Sequence, residues 1–166
     1  MKAVVDTSTL LRALLTKFSE PKYIFSKIEN GDFELLMTAE MAGELNDAFT
    51  SAVMRAAKKS PKVRQRYNQF ANAIAIFILG ATQINTKTKI TSISDPEDAM
   101  FLECAVDGDA EYCISSDHSI FKFKEYSQDK VELALVADIK IFNPQQYVNH
   151  EKALKNPKPK IKTTGA

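Results

Sequence analysis

Short apolar runs that end on an acid or a hydroxyl, each followed by a segment of helical periodicity, recur along this chain. That alternation constrains the fold more than any other feature. Ala3-Val4-Val5 ends at Asp6-Thr7-Ser8 and gives way to Leu10, Leu11, Leu14 and Leu15 at helical spacing. Lys22 to Glu29 places Ile24, Phe25 and Ile28 on one face and stops at Asn30-Gly31. Phe33 to Met37 is a second short strand, and Thr38 caps a helix carrying Met41, Leu45, Phe49 and Ala52. After Ser60-Pro61 a further helix is predicted over Val63 to Leu79, ending at Gly80, and a β-like stretch over Ala81 to Ile93. Asp95-Pro96-Glu97-Asp98 is a strong helix start, because Asp suits the cap, Pro the first helical position and acids the positive end of the dipole. Gly108 stops that helix. Glu111 to Ser115 and Ile139 to Phe142 complete the strands, and Pro144 opens a short terminal helix.

Strands that alternate with helices pack as a mostly parallel, twisted sheet flanked by helices, an α/β fold of three layers. The chain of 166 residues suffices for one domain, read here as residues 1–148. Residues 149–166 form a basic tail, with five lysines (Lys152, Lys155, Lys158, Lys160, Lys162) against Glu151. Formal net charge is only +1, so the body is slightly acidic. An acidic body argues against nucleic acid unless its carboxylates hold cations, which reverse the local field. Cys104 and Cys113 have no C-x-x-C spacing and read as small buried hydrophobes in a reducing compartment. No apolar run is long enough to cross a bilayer, and a cytoplasmic location is expected.

Sheets of this kind place functional groups just beyond the carboxyl ends of their strands. Asp6 and Asp117 both fall there. Glu44 sits about two turns into the helix after the second strand, and Asp98 opens the helix before the strand that leads to Asp117. If the strands before Asp6 and Asp117 are neighbours, all four acids reach one cleft. Clustered carboxylates repel one another, and a hard cation such as Mg²⁺ or Mn²⁺ relieves the repulsion. A metal so held activates water and stabilises charge on a phosphoryl group. Each acid also has an ordinary reading: Asp6 as a cap, Glu44 as a solvent-facing residue, Asp98 as partner of an Asp95 cap, and Asp117 as a turn residue. His118 adjoins Asp117 but reads as a lone exposed loop histidine, and His150 as solvent-facing. The Phe121–Phe123 alternation reads as packing.

Val4-Val5-Asp6-Thr7-Ser8-Thr9-Leu10-Leu11 resembles the opening of PIN domains, and Met41-Ala42-Gly43-Glu44-Leu45 the PIN helix that carries a glutamate. Asp95-Pro96-Glu97-Asp98 is similar to the Asp-Pro-x-Asp helix start of one branch of PIN toxins. Gly108 to Tyr112 with Ser116-Asp117 resembles the last signature strand, and Ile141-Phe142-Asn143-Pro144 the closing strand and turn. The resemblance covers residues 3 to 148. It implies Mg²⁺- or Mn²⁺-dependent endonucleolytic cleavage of RNA by the toxin of a toxin–antitoxin pair (a VapC-like ribonuclease), with an antitoxin partner and a possible homodimer. By matching position, Asp6, Glu44, Asp98 and Asp117 are the metal-binding and catalytic quartet, with Ser8 supporting it. Many members carry another acid two residues past the last aspartate. Ser119 stands there, which points to one well-ordered metal, with Asp95 able to compensate only if it reaches the cleft.

Two other readings stay open. One is a PIN nuclease of RNA maturation without an antitoxin. The other is a catalytically silent PIN-like module that binds RNA or protein, which Ser119 keeps in play. The haloacid-dehalogenase pattern needs an acid where Ser8 stands, and the acidic pair of receiver domains is missing. Lys58, Lys59, Lys62, Arg64 and Arg66 are candidate RNA contacts, or else a solvated helix connection. Leu11, Leu15, Ile24 and Ile28 offer a dimer surface or, equally, core. The acidic cleft carries a physical expectation: without metal, Asp6→Asn, Asp98→Asn and Asp117→Asn should each leave stability unchanged or raise it.

Overall fold

A computed structural model describes residues 1–65 and 67–156, so Arg66 and the tail lysines Lys158, Lys160 and Lys162 lie outside the described residues. The first half runs β1 (Lys2–Val5), α1 (Thr7–Leu15), α2 (Ser19–Glu29), β2 (Glu34–Met37), α3 (Ala39–Lys59), α4 (Pro61–Gln65), α5 (Tyr67–Gly80) and β3 (Thr82–Gln83). A 3₁₀ turn (Pro96–Asp98) then leads into α6 (Ala99–Asp107) and β4 (Tyr112–Ile114). Three short helices follow, α7 (His118–Phe121), α8 (Phe123–Tyr126) and α9 (Lys130–Leu135), then β5 (Lys140–Phe142) and α10 (Pro144–Lys155).

The strands form one parallel sheet in the order β3-β2-β1-β4-β5, flanked by helices as the alternation predicts. β1 lies in the middle, so Ala3, Val4 and Val5 are buried together, the continuous apolar run of a strand covered on both faces. Val5 pairs with Ile114, and the Asp6 amide donates to the Ile114 carbonyl at 3.0 Å. The strands before Asp6 and Asp117 are therefore neighbours, the condition for a shared cleft. Leu36, Leu45, Leu102, Ile114 and Phe123 pack the core around them. Cys104 and Cys113 are free and buried, and burial pushes the Cys104 thiol up to about 12, which leaves it inert.

The caps follow the sequence. Thr38 accepts from the Met41 amide at 3.1 Å, and Asp95 from the Glu97 amide at 3.1 Å. Gly108 ends α6 where a side chain has no room: an added Cβ would lie 2.6 Å from Leu36 Cδ1 and 2.9 Å from the Cys104 carbonyl oxygen. Gly108→Ala is expected to destabilise the protein by about 2 kcal/mol through this overpacking, read as a lower urea midpoint at unchanged slope.

Three segments differ from the sequence reading. The β-like stretch over Ala81 to Ile93 pairs only at Thr82–Gln83. Beyond it, side-chain carboxylates take the place of a neighbouring strand. Asp107 accepts from the Lys87 and Thr88 amides, Glu103 from Ile90, and Glu132 from Thr91 and Ser92. Its isoleucines looked like strand residues because Ile90 and Ile93 do enter the core, from irregular backbone. Residues 118–135 hold three helices where none was predicted, α9 being capped by Asp129, which accepts from the Val131 and Glu132 amides at 2.9 Å. The terminal helix continues through 148 to Lys155, anchored by buried Glu151, whose carboxylate lies 3.3 Å from Lys27 Nζ. His150 is half-buried against Phe142 and within 3.4 Å of the Tyr112 hydroxyl. Of the candidate dimer surface, Ile24 is fully buried, and Leu11, Leu15 and Ile28 pack against the core.

Candidate functional site

β1 and β4 end side by side, and the two turns that follow them build the floor of the site. Asp6 caps α1 and is only 4% exposed, so both of its oxygens must be satisfied internally. Oδ1 accepts from the Thr9 amide at 2.8 Å. Oδ2 accepts from Ser8 Oγ at 3.0 Å, Ser115 Oγ at 2.6 Å and the Ser116 amide at 3.2 Å. Asp6 is thus a helix cap and also the hub that ties the β1 turn to the β4 turn. Ser115, fully buried, makes the second link: its hydroxyl accepts the Asp117 amide at 2.9 Å while donating to Asp6.

Asp117 is exposed and caps α7, with Oδ1 accepting the Ser119 amide at 2.9 Å. Ser119 is buried, and its hydroxyl donates to Asp98 Oδ2. The serine that replaces an expected acid therefore joins two of the remaining acids. Asp98 ends the 3₁₀ turn and makes no cap bond of its own, which leaves its carboxyl directed to Ser119. Glu44 projects from the second turn of α3 and accepts a hydrogen bond from the Thr7 side chain.

Glu44 and Asp98 lie within reach of each other's charge and of Asp6, and Asp98 also within reach of Asp117. Partial loss of solvent raises the Glu44 carboxyl above its ordinary value, and the charges of Asp98, Asp6 and Glu97 raise it further, against the Thr7 bond. Asp98 is raised in the same way, first by loss of solvent and then by Asp117, Asp95 and Asp6, against the Ser119 bond. A carboxylate raised on folding costs stability above its folded value, and the cost disappears as pH falls below the ordinary carboxylate value. Metal-free protein is therefore expected to gain stability from these two groups on mild acidification. Asp98→Asn, which keeps an acceptor for Ser119, is expected to leave the metal-free protein at least as stable at neutral pH and to flatten that dependence. Thermal melts in EDTA from about pH 7.5 to 4 measure both.

Among the described residues, no three side chains of His, Cys, Asp or Glu converge closely enough to hold a metal ion as they stand. In kind, the donor set fits a hard divalent cation. Its groups are carboxylate and hydroxyl oxygens, and the mutual repulsion at Glu44 and Asp98 is what such a cation reverses.

Sequence reasoning missed the roles of Ser115 and Ser116, and that the Thr7 side chain reaches Glu44. The one signal available was the Ser-Ser pair between a strand and its terminal acid. Asp95 is exposed and caps the 3₁₀ turn through Oδ1, and its charge is among those that raise Asp98. Lys58, Lys59, Lys62 and Arg64 are exposed, but Lys58 is 14 residues beyond Glu44 on α3, about 21 Å along the helix. No helix among the described residues is long and apolar enough to cross a membrane.

No curated protein and no solved structure matches the chain. The profile of the PIN domain matches residues 2–119, well over half the sequence, and the matched span contains all four acids. PIN domains are generally nucleases, hydrolases that typically use divalent metals, and PIN nucleases act on RNA. With its all-parallel sheet and this match, the chain belongs to the PIN domain family.

Proposed function

We propose that this protein is a divalent-metal-dependent endoribonuclease and the toxin of a type II toxin–antitoxin pair. The observation that carries the nuclease reading is the placement of Asp6 and Asp117 just past two adjacent central strands, with Glu44 and Asp98 brought from α3 and the 3₁₀ turn within reach of the Asp6 charge. Asp6, Asp98 and Asp117 would hold the metal, with Glu44 completing the set from α3. Mg²⁺ or Mn²⁺ bound there supplies Lewis-acid stabilisation of the phosphoryl oxygens and lowers the pKa of water. The residues around it orient the ligands. Ser115 fixes Asp6 relative to Asp117, Ser119 fixes Asp98 relative to Asp117, and Thr7 steadies Glu44. Ser119 supports one metal rather than two, because its hydroxyl and amide are both engaged in positioning.

The toxin role rests on the resemblance of Asp95-Pro96-Glu97-Asp98 to the helix start of PIN toxins. It implies a cytoplasmic antitoxin whose segment covers the acids or inserts a basic side chain among them. The silent binding module is the second reading, and Ser119 is the residue that favours it.

Cleavage of a panel of structured RNAs in Mg²⁺, in Mn²⁺ and in EDTA tests the activity, with Asp117→Asn alongside. Asparagine keeps the oxygen that caps α7, so this variant should fold normally while losing activity. Metal-dependent cutting that Asp117→Asn lacks is the expected result. Cutting that survives in EDTA would overturn the metal-dependent reading. Binding of the panel without cutting in any metal would favour the silent module.

A further inference from the structure

A groove of about 410 Å³ opens directly beside the acidic centre, between the end of α1, the start of α2, α7 and the start of α10. It falls in the size range of small-molecule sites, about 300–1,000 Å³. Its chemistry has two parts. One is Arg12, whose guanidinium makes no ion pair among the described residues and reaches only Ser116 Oγ, at 3.5 Å. Ser116 is the residue whose amide binds Asp6, so this cation stands one residue from the acids. The other part is aromatic: Phe18 is 61% exposed on the groove, and Phe121 lines it with its ring edge-on to His118, centroids 4.8 Å apart. Phe121 and Phe123 thus part company, since Phe123 is core while Phe121 faces the groove.

We propose, resting on the ribonuclease reading above, that this groove is a nucleotide subsite for the RNA strand next to the scissile bond. Arg12 takes one phosphate, and the aromatic rings of Phe18 and Phe121 take the base. A cation left without a carboxylate beside an acidic centre is complementary to a phosphate that must approach that centre. An aromatic ring held in solvent beside that cation offers a stacking face that any base can use. Glu20 also lines the groove, so its charge suits a single phosphate rather than a run of them. The subsite therefore selects single-stranded RNA, whose bases can splay out of a helix to stack.

The test is a titration of the full chain with AMP, adenosine and inorganic phosphate in EDTA, followed by amide NMR shifts. Chelation removes any metal that would draw phosphate to the acids, so binding reports the groove. AMP is expected to bind about tenfold tighter than phosphate, with shifts at Ser116, His118 and Phe121. Phe18→Ala, at an exposed position, should remove most of that advantage. Arg12→Gln should weaken AMP several-fold while leaving adenosine unchanged. AMP binding no tighter than phosphate, or unaltered in both folded variants, would overturn the subsite. The outcomes separate from those of the nuclease assay. Metal-dependent cutting with no AMP site sinks the subsite alone, and an AMP site without cutting sinks the nuclease reading and leaves the groove a nucleotide site with no scissile bond beside it.

Discussion

Asp6→Asn is expected to abolish RNA cleavage and to destabilise the protein, whereas Asp117→Asn abolishes cleavage alone. In the proposed metal site the loss of activity follows from the removal of a central ligand charge and should exceed about 10²-fold in rate. The loss of stability follows from the two sides of the Asp6 carboxylate. A backbone amide faces each oxygen, Thr9 at Oδ1 and Ser116 at Oδ2. Serine hydroxyls can turn to become acceptors, but backbone amides cannot. Whichever way an asparagine amide points, its NH₂ confronts one of those N–H groups in a buried place. That costs about 1–3 kcal/mol. Read from the sequence, neutralising Asp6, Asp98 or Asp117 should each have left metal-free stability unchanged or higher. The hydrogen bonds correct this for Asp6 and leave it standing for Asp98, whose single bond an asparagine can keep. Melts of the three variants in EDTA should rank Asp98→Asn at or above the parent and Asp6→Asn clearly below it.

The second large effect lies away from the acids. Glu132 is buried at the start of α9 and accepts from the Thr91 amide at 2.7 Å, Thr91 Oγ1 at 2.9 Å, the Ser92 amide at 3.0 Å and Ser92 Oγ at 2.5 Å. Burial by itself raises its carboxyl, but the bonds from Ser92 and Thr91 outweigh burial and hold it at about 2, against 4.5 ordinarily. A depressed carboxylate stabilises fully above its ordinary value and loses that contribution as pH falls toward its folded one. The Glu132 contribution is therefore intact at neutral pH and fades between pH 4.5 and about 2. This is opposite in sign to Glu44 and Asp98, so metal-free stability should pass through a maximum under mildly acidic conditions. Glu132→Ala strands two backbone amides and should cost about 3 kcal/mol. In a domain of this size that lowers the thermal midpoint by about 10 °C. Because Thr91 and Ser92 lead straight into the turn that delivers Asp98, activity should fall even at temperatures where the variant is folded.

These two residues mark the limit of what the sequence carries. Asp6, Asp98 and Asp117 are legible because each sits at a junction where strand or helix periodicity changes, and such junctions in a parallel sheet gather on one edge. The N-cap roles of Thr38 and Asp95 are legible for the same local reason. Glu132 is not, because it supports a segment some 40 residues away, and nothing in the periodicity of Lys130–Leu135 points there. Ser115 is equally silent: its role exists only once β1 and β4 lie in register. The stretch from Ile84 to Ile93 misleads, since Ile84, Thr86, Thr88 and Ile90 turn inward in alternation with exposed Asn85, Lys87 and Lys89, which mimics a strand whether or not a partner strand is present. The helices over 118–135 are too short to show a helical period.

The central claim is that Asp6, Glu44, Asp98 and Asp117 act together as one divalent-cation site, and direct Mn²⁺ binding tests it without reference to any RNA. Electron paramagnetic resonance of the full chain titrated with Mn²⁺ should show one bound ion per chain. Asp98→Asn and Asp117→Asn, both expected to remain folded, should each weaken that binding at least about tenfold. Absence of bound Mn²⁺ at millimolar concentrations, or equal uptake by the parent and both variants, would contradict the account.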